Sequence, residues 1–401
     1  MEHGVATVGQ TAELEVTAVV AGGAGLARDE GRVTFVEGAL PGERVRVAIT
    51  QRKKDFARGH VVDVLMASPD RVEPPCPFVA AGCGGCDWQH VAPSAQRRLK
   101  GQIVTDALRR QARLDVEVDL GPDLPAAGYR TTLRGVAVDG RFGFRRRASH
   151  DVVEVGPCLV AHPLLEELVI DGRYPDGEVV LRAGAGTGER LVVVAGSGGG
   201  TTVPDGVRVV GEAALRSGTR AWYHEELAGQ RWRVSARSFF QSRPDGAEAL
   251  VTAVTAALDA TPDDRRLVDL YGGVGLFALA VPASHVTLVE QGASSIADAR
   301  VNLKGIDHRI VKADVEHWGP THADAVVADP PRAGLGPKGV AKVVATGADR
   351  VALISCDPAS LGRDARLLTE SGYVLRNATV VDLFPHTSHV EVVSRFDRAG
   401  T

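Results

Sequence analysis

The sequence lacks long apolar runs, and nothing in it approaches the roughly 18 apolar residues that a membrane-spanning helix needs. Its first residues, Met-Glu-His-Gly-Val, also lack the basic start and apolar core of a secretion signal. We therefore expect a cytoplasmic protein without membrane association. The 44% hydrophobic and 24% charged residues are ordinary for a globular chain, which excludes a disordered chain or a coiled coil. Its 401 residues predict two or three domains.

The chain also lacks an excess of positive charge, because its formal net charge is −4. A protein that neutralises many phosphates usually carries surplus lysine and arginine, so any contact with nucleic acid must be local. Basic side chains do cluster at 44–58, 97–113 and 130–147. Each cluster is either a nucleic-acid contact or an ordinary solvated face.

Cysteines are too few, and odd in number, for a disulfide framework in a reducing compartment. Cys76, Cys83 and Cys86 lie close together, and Cys158 follows at a distance. Four thiolates without a nearby histidine suit a tetrahedral zinc ion or a [4Fe-4S] cluster. Cys356 is left over as a single thiol.

Three patterns of secondary structure succeed one another along the chain. Short alternating strands over 12–65, separated by glycine-rich turns, predict a small barrel of about five strands. A helix is predicted over 94–113, and strand-like runs over 128–237 predict an antiparallel sheet. From about residue 245, helices alternate with strands and two strands come last, which predicts a doubly wound parallel sheet with a final antiparallel hairpin.

A glycine-rich turn, Gly272 to Gly275, separates the first strand of that sheet from a helix, and Glu290 ends the next strand. Backbone can approach a nucleotide-like ligand at such a turn, and the carboxylate is spaced to bind ribose hydroxyls. The pattern fits NAD or S-adenosylmethionine, and a turn without ligand is the alternative. Asp329 follows a later strand, before Pro330 and Pro331, where it is either a rigid substrate loop or a stiff surface turn.

Cys356 ends a buried strand, and Asp357 and Pro358 suit the start of a helix. The helix N-terminus is expected to lower the pKa of the thiol. Glu391 interrupts an apolar run in the last strand, where burial would raise its pKa toward that of a useful base. The alternatives are an inert buried cysteine and a glutamate that faces solvent.

The ordered combination of motifs resembles the RNA 5-methyluridine methyltransferase family over nearly the whole chain. The glycines at 22, 23 and 25 and the turn at Pro41 resemble its TRAM barrel, and the four clustered cysteines resemble its [4Fe-4S] ligand set. Further motifs match in order: Phe239-Phe240-Gln241, Asp269 to Gly273, Asp329 to Arg332, Ser355 to Pro358 and Phe384 to Glu391.

The resemblance implies three domains. They are an RNA-binding TRAM barrel of OB-like fold over 1–67, a central α+β domain with the iron–sulfur site over 68–237, and a Rossmann-like catalytic domain over 238–401. The helix at 94–113 is expected to pack on the catalytic domain.

The implied activity is methyl transfer from S-adenosylmethionine to C5 of a uridine in tRNA or rRNA. Cys356 would be the nucleophile that adds to C6, and Glu391 the base. The implied ligands of the cofactor are Gln241, Tyr271, Glu290, Asp314 and Asp329, and those of the cluster are Cys76, Cys83, Cys86 and Cys158, with zinc as the alternative. The expected partner is RNA with a single-stranded or loop uridine, without an obligate protein partner, and we expect a monomer. The alternatives are methylation at another base position and an inactive RNA-binding iron–sulfur protein.

Overall fold

The structure is a computed structural model that describes residues 8–259 and 265–400. Its first unit is a closed barrel in which the strands neighbour one another in the order β1-β2-β3-β5-β4. The strands are β1 (Thr11–Val19), β2 (Gly25–Asp29), β3 (Arg32–Glu37), β4 (Arg44–Arg52) and β5 (Phe56–Met66). Alternate residues such as Leu14, Val16, Val45 and Val47 fill its interior, as the period of two along a strand requires. The predicted five-stranded barrel is confirmed.

A helix joins the barrel to the rest of the molecule. Helix α1 (Pro93–Ala107) ends in a turn of π-helix (Leu108–Ala112), and a short strand, β6 (Val118–Leu120), follows. The Leu99 and Ile103 side chains of α1 pack with Leu40 of the barrel in one apolar cluster. Val104 and Leu108 lie in a different cluster, which belongs to the C-terminal sheet. The helix therefore contacts the barrel and the C-terminal sheet through different side chains.

The middle of the chain forms a six-stranded sheet in the order β12-β11-β10-β7-β8-β9, followed by a separate hairpin, β13-β14. The elements are β7 (Thr132–Val138), β8 (Arg141–Arg145), β9 (Val152–Glu154), α2 (Pro163–Ile170), β10 (Gly177–Ala183), β11 (Arg190–Val194), β12 (Val207–Gly211), α3 (Glu212–Arg216), β13 (Trp222–Leu227) and β14 (Gln230–Ser235). The prediction of an antiparallel sheet was wrong at one edge, because β12 pairs parallel to β11. A connection at 195–206 returns the chain to the start of β11, which a tight hairpin turn would not do.

The C-terminal part is a doubly wound sheet in the order β17-β16-β15-β18-β19-β21-β20-β6. Its elements are α4 (Pro244–Leu258), β15 (Arg266–Leu270), α5 (Leu276–Ala280), β16 (His285–Glu290), α6 (Ala293–Asn302), β17 (His308–Lys312), β18 (Ala325–Ala328), α7 (Gly336–Ala345), β19 (Arg350–Ser355), α8 (Pro358–Glu370), β20 (Tyr373–Val380) and β21 (Val392–Arg398). Strands β15 to β19 are parallel, and β21 lies antiparallel between β19 and β20. The predicted doubly wound fold with a final hairpin is confirmed.

Two details of this sheet differ from expectation. Strand β6 extends it by pairing parallel to the end of β20, and its three residues carry no strand pattern of their own. Glu391 was predicted inside the last strand but lies one residue before β21 begins. In the part of the chain that the structure describes, no helix has both the length and the apolar character to cross a membrane.

Candidate active site

The ends of four parallel strands bring most of the predicted residues to one edge of the C-terminal sheet. Leu270 of β15 is in register with Val289 of β16 and with Ala328 of β18, and Ala328 is in register with Leu353 of β19. The residues that follow these positions therefore emerge at the same edge, where ligands of doubly wound sheets bind.

Cys356 and Glu391 meet across the β19–β21 pair. Ser355 is in register with Val392, so the next residue of one strand opposes the preceding residue of the other. The two groups also interact electrostatically, because the Glu391 carboxylate helps to raise the pKa of the Cys356 thiol. Cys356 is partly exposed, whereas Glu391 is 6% exposed. A partly exposed thiol thus lies beside a buried carboxylate.

Helix α8 begins directly after Cys356, as the sequence predicts. The Asp357 carboxylate accepts a hydrogen bond from the backbone N–H of Ser360 at 2.8 Å, and Pro358 occupies the first turn. The expected effect on the thiol was wrong, however. Burial, with the nearby charges of Glu391 and Asp329, raises the pKa of Cys356 to about 11, although the Arg332 guanidinium acts in the opposite direction. Desolvation and two carboxylates outweigh the partial charge of one helix end.

Buried carboxyl groups surround this site. Burial and the neighbouring Asp329 raise the pKa of Glu391 well above its ordinary value. Burial raises the pKa of Asp329 to about 7 and that of Asp269 to about 8. Asp269 is fully buried in β15, where one carboxylate oxygen accepts from the Ala278 N–H at 3.0 Å and the other has no partner. These acids suit a ligand that carries positive charge.

Asp269 was not among the predicted ligands of the cofactor. The available signal was a lone acid within the otherwise apolar strand that precedes the glycine-rich turn. Its proximity to Glu290 and Asp329 depends on the pairing of β15 with its two neighbours.

The glycine-rich turn is fixed by Glu290. One carboxylate oxygen of Glu290 accepts from the Gly273 N–H at 3.0 Å, and the other accepts from the Gly292 N–H at 2.6 Å. Gly275 has a φ of +96°, and a Cβ there would approach Leu303 to 3.1 Å, so the turn requires glycine at this position. Tyr271 also adopts a positive φ, of 60°.

The remaining predicted ligands lie at different depths. Gln241 is 7% exposed on the segment before α4. Asp314 is exposed after β17, where its carboxylate accepts from the Glu316 N–H at 2.8 Å. Burial raises the pKa of Tyr271 to about 12, and the nearby Asp314 carboxylate contributes to that rise. Acidic and aromatic side chains therefore lie along the carboxyl edge of the sheet, some buried and some exposed.

The four clustered cysteines line one small cleft with apolar neighbours such as Phe78 and Phe144. Burial raises the pKa of the Cys83, Cys86 and Cys158 thiols, that of Cys86 to about 11, and nearby cysteines raise all three further. Within residues 8–259 and 265–400, no group of three or more His, Cys, Asp or Glu residues is arranged to hold a metal ion. The structure thus brings the four thiols to one place without closing them round a single ion.

A wide cleft of about 650 Å³ is lined by Gly84 and Gly85 of the cysteine segment and by Phe240 and Ser242, which precede α4. Arg134 and Arg145 line it, together with Phe384 and with Phe239, whose side chain is 67% exposed. Cationic side chains beside exposed aromatic rings are typical of a surface that binds single-stranded nucleic acid. Part of the basic cluster at 130–147 therefore lies in a cleft.

The strand order, the glycine-rich turn and the acidic pocket at the carboxyl edge together define an S-adenosylmethionine-dependent methyltransferase. Residues 5–62 match the TRAM domain family, and residues 308–397 match the family described as tRNA (Uracil-5-)-methyltransferase. The chain belongs to this family of RNA (uracil-5-)-methyltransferases. S-adenosylmethionine is the methyl donor of the class, and C5 of uracil in RNA is the acceptor.

Individual relatives agree with this assignment. An uncharacterized RNA methyltransferase of Streptomyces coelicolor is 39% identical over 99% of this chain and 94% of its own length. The 23S rRNA (uracil(1939)-C(5))-methyltransferase RlmD of Photorhabdus laumondii is 32% identical over 94% of each chain. The structure of Pyrococcus abyssi tRNA (uracil-54, C5)-methyltransferase in complex with S-adenosyl-L-homocysteine matches 96% of this chain and 99% of its own with a TM-score of 0.73. At 22% identity, that likeness shows a shared fold.

Proposed function

We propose that Cys356 is the nucleophile and Glu391 the base in methylation of uracil C5. The observation that carries the proposal is the meeting of these two side chains across β19 and β21, beside the acidic edge of the sheet. C5 of an unmodified uracil is a poor nucleophile, and a covalent bond from the enzyme to C6 makes it a stronger one.

The Cys356 thiolate adds to C6, which forms a C6–S bond and moves the electron pair of the C5–C6 double bond onto C5 and O4. S-adenosylmethionine supplies an electrophilic methyl group, and C5 takes it as the bond from methyl to sulfonium breaks toward sulfur. The Glu391 carboxylate then removes the C5 proton. The electron pair of the C5–H bond re-forms the C5–C6 double bond, and the C6–S bond breaks, which returns the electron pair to the Cys356 sulfur.

A bound cation would lower the raised pKa of the Cys356 thiol. The carboxylates of Glu391 and Asp329 raise the Cys356 pKa, so a sulfonium among them offsets their charge and favours the thiolate. The same charge favours ionisation of Glu391, which a base requires. We propose that Asp269, Glu290 and Asp329 bind the cofactor, with contributions from Gln241, Tyr271 and Asp314.

The cleft with Arg134 and Phe239 is our candidate for the RNA flanking the target uridine. A second groove lies between the barrel and the start of α8, and its lining includes Phe35, Arg58 and Arg147. Because RlmD of Photorhabdus laumondii is named for 23S rRNA, rRNA fragments are the first substrates to assay, with tRNA as the other class. The expectation of a cytoplasmic monomer stays a prediction, which light scattering and cell fractionation check.

We propose that Cys76, Cys83, Cys86 and Cys158 hold a [4Fe-4S] cluster with a structural role. Four thiols in one apolar cleft fit a cluster, which presents separate irons to separate sulfurs. Zinc on the same four thiols is the alternative, with the four sulfurs about 4 Å apart around one ion, given a bond length of ~2.3 Å. Iron and visible absorbance in anaerobically purified protein would support the cluster. A colourless protein with stoichiometric zinc would refute it.

Trapping with RNA that contains 5-fluorouridine tests the catalytic roles. Fluorine at C5 cannot leave as a proton does, so the covalent complex with wild-type protein should survive denaturation. Cys356→Ala should abolish both this complex and methyl incorporation into ordinary RNA, with S-adenosylmethionine binding retained. Methyl incorporation by Cys356→Ala, or absence of any wild-type complex during active turnover, would favour methylation at another base position without an adduct.

A further inference from the structure

Glu391 ends a stretch of chain without regular secondary structure, residues 381–391, which we call the Glu391 loop. The loop joins β20 to β21, and most of it is buried. Its hydrogen bonds run mainly to residues far away in sequence, between Asp87 and Tyr129. The position of the proposed base therefore depends on a different part of the chain.

Glu391 itself is held at its carbonyl, which accepts from the Val381 N–H at 2.9 Å, and Asp87 holds the chain on the other side, at Ser388. The Asp87 carboxylate accepts from the backbone N–H of Ser388 at 2.9 Å and from the Ser388 hydroxyl at 2.6 Å. Ser388 lies three residues before Glu391, and no helix fixes the distance between the two residues. Two charge-assisted hydrogen bonds to one residue restrict both its backbone and its side chain.

The middle of the loop is held in a strained conformation. His386 has a φ of 65°, which a non-glycine residue adopts only where its surroundings impose it. Its N–H donates to the Gln96 side-chain oxygen at 2.6 Å, and its carbonyl accepts from the Trp88 N–H at 2.9 Å. Trp88 directly follows Asp87, so the residue that binds the His386 carbonyl is next in sequence to the residue that binds Ser388.

The start of the loop is held by a buried lysine. The Lys100 ammonium donates to the Asp382 carboxylate at 2.6 Å and to the Phe384 carbonyl at 3.0 Å. Lys100 is 0% exposed, and Asp382 is 7% exposed. Lys100 lies on α1, so the helix that follows the cysteine segment carries a second part of the support.

The barrel closes the arrangement from outside. A Cβ on Gly23 would lie 2.5 Å from both Ser388 Cβ and Trp88 Nε1, so the turn after β1 packs directly against the Asp87–Ser388 contact. The Trp88 indole N–H donates to the Gly23 carbonyl at 3.1 Å. Gly23 also has a positive φ, of 81°.

From these contacts we propose that Asp87 is a positioning residue for Glu391, acting through Ser388. Because Asp87 directly follows Cys86, the segment that binds the proposed cluster also fixes the base. The inference rests on the proposed function, since it concerns the step in which Glu391 removes the C5 proton.

A misplaced base gives a specific signature. Cys356 addition and methyl transfer precede proton removal, so a chain with a displaced Glu391 should still form the methylated adduct but release it slowly. In Asp87→Ala we expect the denaturation-resistant RNA–protein adduct with ordinary uridine RNA to accumulate. Release of methylated RNA should slow by about tenfold or more, since small displacements of catalytic groups have effects of this size. Affinity for S-adenosylmethionine should stay within about twofold, because Asp87 is not among the cofactor-binding acids.

Two matched variants identify the cause. Asp87→Asn can accept from the Ser388 N–H with its oxygen and donate to the Ser388 hydroxyl, so it should restore most of the release rate. Asp70→Ala removes an aspartate that pairs with Arg98 of α1 and does not contact the loop, so it should behave as wild type. Wild-type release in Asp87→Ala would overturn the proposal.

Glu391→Gln separates this proposal from the function on which it rests. If Glu391→Gln accumulates adduct and Asp87→Ala does not, the positioning role alone is wrong. If Glu391→Gln fails to accumulate adduct, the assignment of the base falls, and the positioning role falls with it. Should Asp87→Ala lose cofactor binding through misfolding, Ser388→Ala decides instead. That variant removes only the hydroxyl partner, and it should accumulate adduct to a smaller extent, whereas wild-type release would refute the proposal.

Discussion

Replacing Asp269 by asparagine should make the free energy of unfolding of the cofactor-free protein less dependent on pH. Burial raises the pKa of Asp269 from an ordinary 3.8 to about 8. Between these values the folded chain keeps the proton that the unfolded chain has lost. The unfolded state thus binds fewer protons, and stability falls as pH rises through this window.

The size of the effect follows from the shift. Each pH unit within the window lowers the free energy of unfolding by about 1.4 kcal/mol, so the Asp269 contribution falls by about 3 kcal/mol between pH 5 and pH 7. Asparagine keeps an oxygen that can accept from the Ala278 N–H, and it has no carboxyl proton to lose. The stability of Asp269→Asn relative to wild type should therefore rise by that amount over the same interval.

Urea unfolding of the two proteins at pH 5, 6 and 7, without cofactor, measures this difference. Asp324→Asn is the matched control, because Asp324 precedes β18 at the opposite end of the sheet, where it accepts from the Arg266 N–H. That control should keep the wild-type slope. Asp269→Asn should also bind S-adenosylmethionine more weakly above pH 8, where the wild-type carboxylate is ionised and the asparagine carries no charge. Parallel pH profiles for wild type and Asp269→Asn would refute the reasoning.

Three further predictions concern binding and stability. S-adenosylmethionine binding near pH 7 should release protons, because its sulfonium favours the ionised forms of Asp329 and Glu391. Calorimetry in buffers of different ionisation enthalpy measures this, and a release no greater than that of S-adenosylhomocysteine, which lacks the sulfonium charge, would contradict it. Phe239→Ala should weaken RNA binding by about 5- to 150-fold, the loss of one stacked base, while Phe239→Tyr retains it in filter-binding assays; equal affinities would exclude stacking there. Lys100→Met should lower the free energy of unfolding by about 3–5 kcal/mol, because it leaves the buried Asp382 carboxylate without its cation. In denaturant titrations the double variant Lys100→Met/Asp382→Asn should recover part of that loss, and no recovery would contradict the ion-pair explanation.

Local patterns predicted most of the elements around the site. Alternating helices and strands were predictable because buried parallel strands such as β18 and β19 are continuous apolar segments. The cap of α8 was equally predictable, since Asp357 and Pro358 act within a single turn. Strand β6 was not predictable, because its three residues become a strand only by pairing with the end of β20.

The electrostatics of the site were predicted less well. A helix N-terminus can be read from sequence, and it suggested a lowered thiol pKa. The pKa of Cys356 is raised instead, since Asp329 and Glu391 come from distant parts of the chain and burial depends on all the packed elements. The proposed role of Asp269 was not predicted for the same reason, because its neighbours Glu290 and Asp329 belong to other parts of the chain.

The order of residues along the chain by itself determined the barrel, the alternating helices and strands, and the chemical identity of the thiol, the acids and the glycine-rich turn. Only the tertiary structure decided that Glu391 opposes Cys356, that carboxylates lie near the thiol, and that Asp87 and Lys100 form hydrogen bonds to the loop that carries Glu391. Secondary structure follows from interactions over a few residues, which a sequence displays directly. The ionisation and position of a buried group depend on every charge and hydrogen bond around it, and these are brought together only by folding.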